Sequence, residues 1–89
     1  MSSKDNKIKL VWNDWNREHI KKHKVKVSEV KQAYKNKIFV RGSYLSRMIV
    51  FGKTNKGRLL TIVLSFEKQK DGYIVSVRDT SKKEREDLK

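Results

Sequence analysis

Both tryptophans and both histidines of the chain fall in one stretch, WNDWNREHIKKHKV, from Trp12 to Val25. At helical spacing Trp15, His19 and His23 recur every four residues and Trp12 lies three before Trp15, so indole and imidazole groups share one face while Lys21 and Lys22 project elsewhere. Such a face is either core or site. Histidines at i and i+4 could ligate a metal, but HIKKH lacks the glutamate of the HExxH motif and offers no obvious third ligand, so no metal is expected. Local hydrogen bonding beside the aromatic residues is the expectation for His19. His23, near the helix end between Lys22 and Lys24, is the candidate for proton transfer, work that imidazole does near neutral pH.

A second constellation is a set of arginines inside or beside apolar strands: Arg47 in the first long strand, Arg58 opening the next and Arg78 closing the last. In a meander Arg58 and Arg78 can converge on one end or face, where their planar forks match phosphate oxygens. The alternative is that each reaches solvent or pairs with Glu67, Asp79 or Glu84.

Charge sets the wider context, since 23 Lys and Arg against 10 Asp and Glu leave a formal net charge of +13 on 89 residues. A field of that sign attracts polyanions, nucleic acid first and then an acidic protein or a ribosomal surface. Lysines that merely keep a small protein soluble are the plainer reading. The length allows one domain, 1–89, with a small core and with residues 1–7 frayed. The chain has no cysteine, which excludes disulfides, thiolate catalysis and Cys-ligated zinc. With no secretory h-region, no long apolar run and no basic amphipathic segment, the expected setting is cytoplasmic, away from membranes.

The elements that must position these residues can be read from periodicity. Ile8, Leu10 and Trp12 alternate against Lys7, Lys9 and Val11 as a first strand, and Asn13 caps a helix ending near Lys24. Ser28 caps a second helix, Glu29 to about Tyr34, that buries Val30, Ala33 and Tyr34. From Ile38 the period changes to 2, and three antiparallel strands are expected. The first joins Ile38–Val40 to Tyr44–Lys53 across an interruption at Arg41-Gly42-Ser43. The others run from Arg58 to Phe66 and from Tyr73 to Arg78, after turns at Asn55-Lys56-Gly57 and Lys70-Asp71-Gly72 whose glycines supply positive φ. RLLTIVLSF is apolar enough for a central strand. Ser81 with Glu84 forms a capping box that opens a short final helix. The helices should cover one face of the sheet and leave the other for a ligand.

In order and residues the chain resembles the BrnT family of toxin–antitoxin ribonucleases, of the RelE-like superfamily. The likeness runs from the tryptophan-ended strand LVW, through WNREHIKKHKV where the family has an Asn…Lys-His-Gly-Val segment, to RMIVFG, GRLLTIVLS and the ending IVSVRDTSKKER. Lys24 stands where the family has glycine, and Asp87-Leu88-Lys89 where many members have an aromatic. The resemblance implies an α+β, RelE-like fold: an N-terminal strand and two helices on a twisted antiparallel sheet, with a short C-terminal helix. It implies a metal-independent endoribonuclease without cofactor, in which the RNA 2′-OH attacks its own phosphate, and a cognate acidic antitoxin as partner, with ribosome association also open. Arg58 and Arg78 would stabilise the transition state. Arg47, with Arg41 and Lys53, would hold flanking phosphates, and His23 or Lys22 would move protons. The competing reading is a non-catalytic basic module that binds RNA or an acidic protein through the same arginines.

Overall fold

A computed structural model of the chain describes residues 9–43, 46–66 and 71–87. The frayed start expected over residues 1–7, Ile8 of the first strand, Tyr44, Glu67, Lys70 and the last two residues lie outside the described residues. The element order is β1 (Leu10–Val11), α1 (Asp14–Lys21), α2 (Val27–Lys35), β2 (Lys37–Ser43), β3 (Arg47–Lys53), β4 (Leu59–Ser65), β5 (Gly72–Asp79) and α3 (Lys82–Asp87), an α+β arrangement.

Asn13 caps α1 as expected. Its side chain accepts the Asn16 N–H at 2.9 Å, and the Asn16 side chain accepts the Asn13 N–H at 2.9 Å, a reciprocal capping box. The helix stops at Lys21, one turn short of the expected Lys24. There the Val25 N–H reaches the Ile20 carbonyl (3.1 Å), the Lys24 N–H reaches that of Lys21 (2.9 Å), and Lys24 takes φ 57. This is a Schellman closure, which drives Ile20 and Val25 together into the core. Lys24 therefore keeps the left-handed conformation that suits glycine. Lys24→Gly is expected to stabilise the fold by about 1 kcal/mol and to raise Tm by about 4–8 °C. A thermal melt checks this, and an unchanged or lower Tm would refute it.

The second helix also starts earlier than expected. Lys26, not Ser28, occupies the cap position, with the Glu29 carboxylate accepting its N–H at 2.9 Å. A start at Val27 lets that half-buried side chain pack on the core. Val30 and Ala33 are buried and Tyr34 half-buried, as the periodicity predicts.

The sheet has the order β1-β5-β4-β3-β2. From one edge, α1 and α2 carry the chain across a face to the far edge, and β2 to β5 meander back. β5 then pairs with β1 in parallel, so the sheet is mixed, not wholly antiparallel. The meander has four strands, not three. Arg41 and Gly42 do not interrupt a strand; they pair with Ile49 and Met48, which makes Lys37–Ser43 a strand of its own. The turn at Gly57 has the expected positive φ of 92, while Gly72 has none and begins β5, its N–H on the Lys9 carbonyl at 2.9 Å. β4 is central, with Leu60, Ile62 and Leu64 buried under the helices.

Candidate nucleic-acid interface

Away from the irregularities at Lys37/Phe39 and Val63/Leu64, register assigns strand residues to a face, because opposed residues share a side and neighbours alternate. Val50 and Gly52 of β3 face α2: Val50 is in the core, and a Cβ built on Gly52 would meet the Ala33 backbone. Arg47, Ile49, Phe51 and Lys53 therefore lie on the opposite face, away from α1 and α2. Across β2, Phe39 stands opposite Phe51 and Arg41 opposite Ile49. Across β4 and β5, Thr61 stands opposite Phe51 and Arg78 opposite Thr61. Four of the expected site residues, Arg41, Arg47, Lys53 and Arg78, thus share one face although 37 positions separate the first from the last. Phe39 is 48% exposed and its ring lies 6.1 Å from that of the buried Phe51, over which the Arg41 guanidinium sits at 5.8 Å. Arg47 and Lys53 are exposed at opposite ends of β3, about 20 Å apart at ~3.4 Å per residue. No Asp or Glu occurs between Glu29 and Glu67, so nothing acidic from β2, β3 or β4 dilutes this surface.

Arg78 is held by α3. Its guanidinium grips the Glu84 carboxylate with two bonds, 2.9 and 3.0 Å, and its Nη1 also donates to the Asp79 carbonyl at 3.3 Å. Glu84 further accepts the Ser81 N–H at 3.0 Å while its own N–H donates to the Ser81 hydroxyl, so the expected capping box is present. Beneath them the buried Thr61 hydroxyl meets that of Thr80 at 3.0 Å. The Arg78 guanidinium, followed by the Ser81 N–H, holds the Glu84 pKa at about 2, which keeps it an anchor rather than a proton carrier at neutral pH. A depressed carboxyl stabilises the fold above its unfolded pKa of about 4.5, and this contribution is lost as pH falls toward 2. Glu84→Gln is therefore expected to cost at most about 2 kcal/mol at pH 7, the Arg78 side chain being 44% exposed and partly screened, and almost nothing near pH 2. Urea titrations across that range would expose an error if the gap between the two proteins stayed constant.

Arg58 faces the other way. It donates from Nε and Nη2 to Asp79 (2.6 and 3.1 Å), from Nη1 to the Lys24 carbonyl (2.9 Å) and Glu29 (3.3 Å), and from Nη2 to the His23 carbonyl (3.2 Å). These bonds engage all five of its N–H donors, so the guanidinium clamps the end of α1, the start of α2 and the end of β5. Arg58 and Arg78 consequently lie near one end of the sheet but on opposite faces. The structure brings His23 to Arg58 through its backbone. The side chains of Lys22 and His23 are exposed. The tryptophan–histidine face is divided: Trp12 is half-buried and packs on the core, whereas Trp15 is 55% exposed, stacked on His19 at 4.8 Å, with His23 edge-on to His19 at 5.8 Å. α1 instead buries Asn16 and Ile20. Among the described residues no cluster of three or more His, Cys, Asp or Glu side chains is placed to hold a metal ion.

No family model matches the sequence, and no curated protein matches it. Among solved structures, the crystal structure of the Brucella abortus ribonuclease toxin BrnT superposes with a TM-score of 0.66, covering 85% of this chain and 100% of that one at 17% identity. The chain has the BrnT fold. The resemblance read from LVW through IVSVRDTSKKER is thus borne out as a likeness of structure over the full length of BrnT.

Against the BrnT-like frame, three residues escaped the sequence reading. Asn16, fully buried, donates to the Val11 and Ile74 carbonyls at 2.9 and 3.2 Å and so ties α1 to β1 and β5. Its signal was its place three residues after the Asn13 cap. Glu29, expected only to begin a helix, is a partner of Arg58, and nothing local announces this. Phe39 had only its place in a strand to mark it.

Proposed function

We propose that the chain is a ribonuclease toxin that cleaves RNA without a metal and is restrained by an acidic antitoxin. The observation that carries this reading is that Arg41, Arg47, Lys53 and Arg78 share with exposed Phe39 the face of a BrnT fold opposite α1 and α2. Exposed cations about 20 Å apart suit a single-stranded backbone, and an aromatic ring among them suits a stacked base. Arg41, Arg47 and Lys53 hold flanking phosphates. Arg78 presents a half-exposed guanidinium to the reacting phosphate. There the 2′-oxygen attacks phosphorus, the 5′-oxygen leaves, and a 2′,3′-cyclic phosphate remains; one group takes the 2′-OH proton and another returns a proton to the 5′-oxygen. His23 and Lys22, at the same end of the sheet as Arg78 but on the Arg58 side, are the candidates for these transfers, which requires the RNA to pass around that end. Arg58 is a positioning residue that fixes the helix end bearing them.

The engagement of both Arg58 and Arg78 by carboxylates favours a second reading, a module that binds RNA and leaves it intact. Purified protein mixed with ribosome-free RNA, followed by 5′-end mapping, separates the two. Cleavage is expected and is expected to persist in excess EDTA, because among the described residues the histidines gather no third ligand. Activity lost to chelator and restored by zinc or magnesium would overturn the metal-independent step. Bound but uncut RNA would establish the second reading.

A further inference from the structure

The outer edge of the sheet at β2 combines three properties. Among the described residues no strand pairs with it on that side, so a run of backbone donors and acceptors faces outward. Three of the four exposed large hydrophobic side chains among the described residues, Ile38, Phe39 and Val40, stand on it consecutively at 52, 48 and 41% exposure. Lys37 and Arg41 flank them, in a segment that contains no carboxylate. Exposed apolar residues on an edge invite another strand, while flanking cations repel a second copy carrying the same cations at its own edge.

We propose that this edge receives an extended segment of a partner protein as a sixth strand, apolar at its centre and acidic on both sides. Backbone hydrogen bonds would supply affinity, and the match of carboxylates to Lys37 and Arg41 would set specificity and register. The segment would run beside Phe39 and Arg41, so its binding would obstruct RNA on the adjoining face. The inference rests on the proposed function only in taking this partner to be the restraint on a toxin.

The probe is a capped, labelled nine-residue peptide with three central valine or isoleucine residues between glutamates. Its controls are a lysine-for-glutamate version and a version N-methylated on alternate amides. The acidic peptide is expected to bind at least about tenfold more tightly than either control and to slow hydrogen exchange across Lys37–Ser43. Val40→Lys should abolish binding while leaving Tm unchanged. Binding that tolerates N-methylation or leaves β2 exchange unaltered overturns the proposal. So does protection of β2 that grows with protein concentration alone, the mark of a second copy, or protection by a short RNA in place of the peptide. The titration contains no RNA substrate, so an absence of cleavage leaves this inference standing, and intact cleavage without β2 protection removes it alone.

Discussion

Arg78→Ala is expected to lower RNA cleavage by about 100-fold or more, the loss of one preorganised cation from the reacting phosphate being worth roughly 3–4 kcal/mol. The same side chain anchors α3 through Glu84, so a fall in activity could also come from a displaced helix. Glu84→Gln distinguishes these effects: it weakens the anchor but keeps the guanidinium, and should retain most of the activity that Arg78→Ala loses. Single-turnover cleavage of a short RNA, with circular dichroism on each variant, provides the measurement. Arg78→Ala at parental rates would remove Arg78 from the chemistry, and equal losses in both variants would make its role that of holding α3.

Gly52→Ala is expected to abolish the fold at physiological temperature. A Cβ at this position would stand 1.8 Å from the Ala33 carbonyl oxygen, an obstacle that is backbone and cannot rotate away. Relief would require α2 to retreat from β3 by more than about 1 Å, opening the core at Val30 and Val50. Overpacking ordinarily costs about 1–3 kcal/mol, and a clash with main chain belongs at or above the upper end, against a total stability of only several kcal/mol. Ala33→Gly should give no rescue, since the clashing atom stays. Gly42→Ala, whose added methyl meets nothing within 4 Å, should remain within about 0.5 kcal/mol of the parent. Urea denaturation of the three variants checks this, and a cooperative Gly52→Ala transition near the parental midpoint would refute it.

These two sites mark where local pattern and tertiary structure part company. The sequence by itself determined the order of helices and strands except for the separate strand Lys37–Ser43, the Asn13 and Ser81–Glu84 caps, the turn at Gly57, the central place of β4 and the cationic character of the surface. Each rests on neighbours a few residues apart, through periodicity, a capping spacing or a required φ. It also named Asp79 and Glu84 as carboxylates that arginines could find. Tertiary structure alone decided which arginine found which, and on which side of the sheet. Arg58 reaches Asp79 across 21 positions and Glu29 across 29, and Asn16 reaches Ile74 across 58. Strand register governs such meetings, and a shift of one residue would exchange the faces of Arg78 and Asp79. The parallel pairing of β1 with β5, the close approach at Gly52 and the outer position of β2 follow in the same way from where the two helices set the chain down, a distance that no local periodicity records.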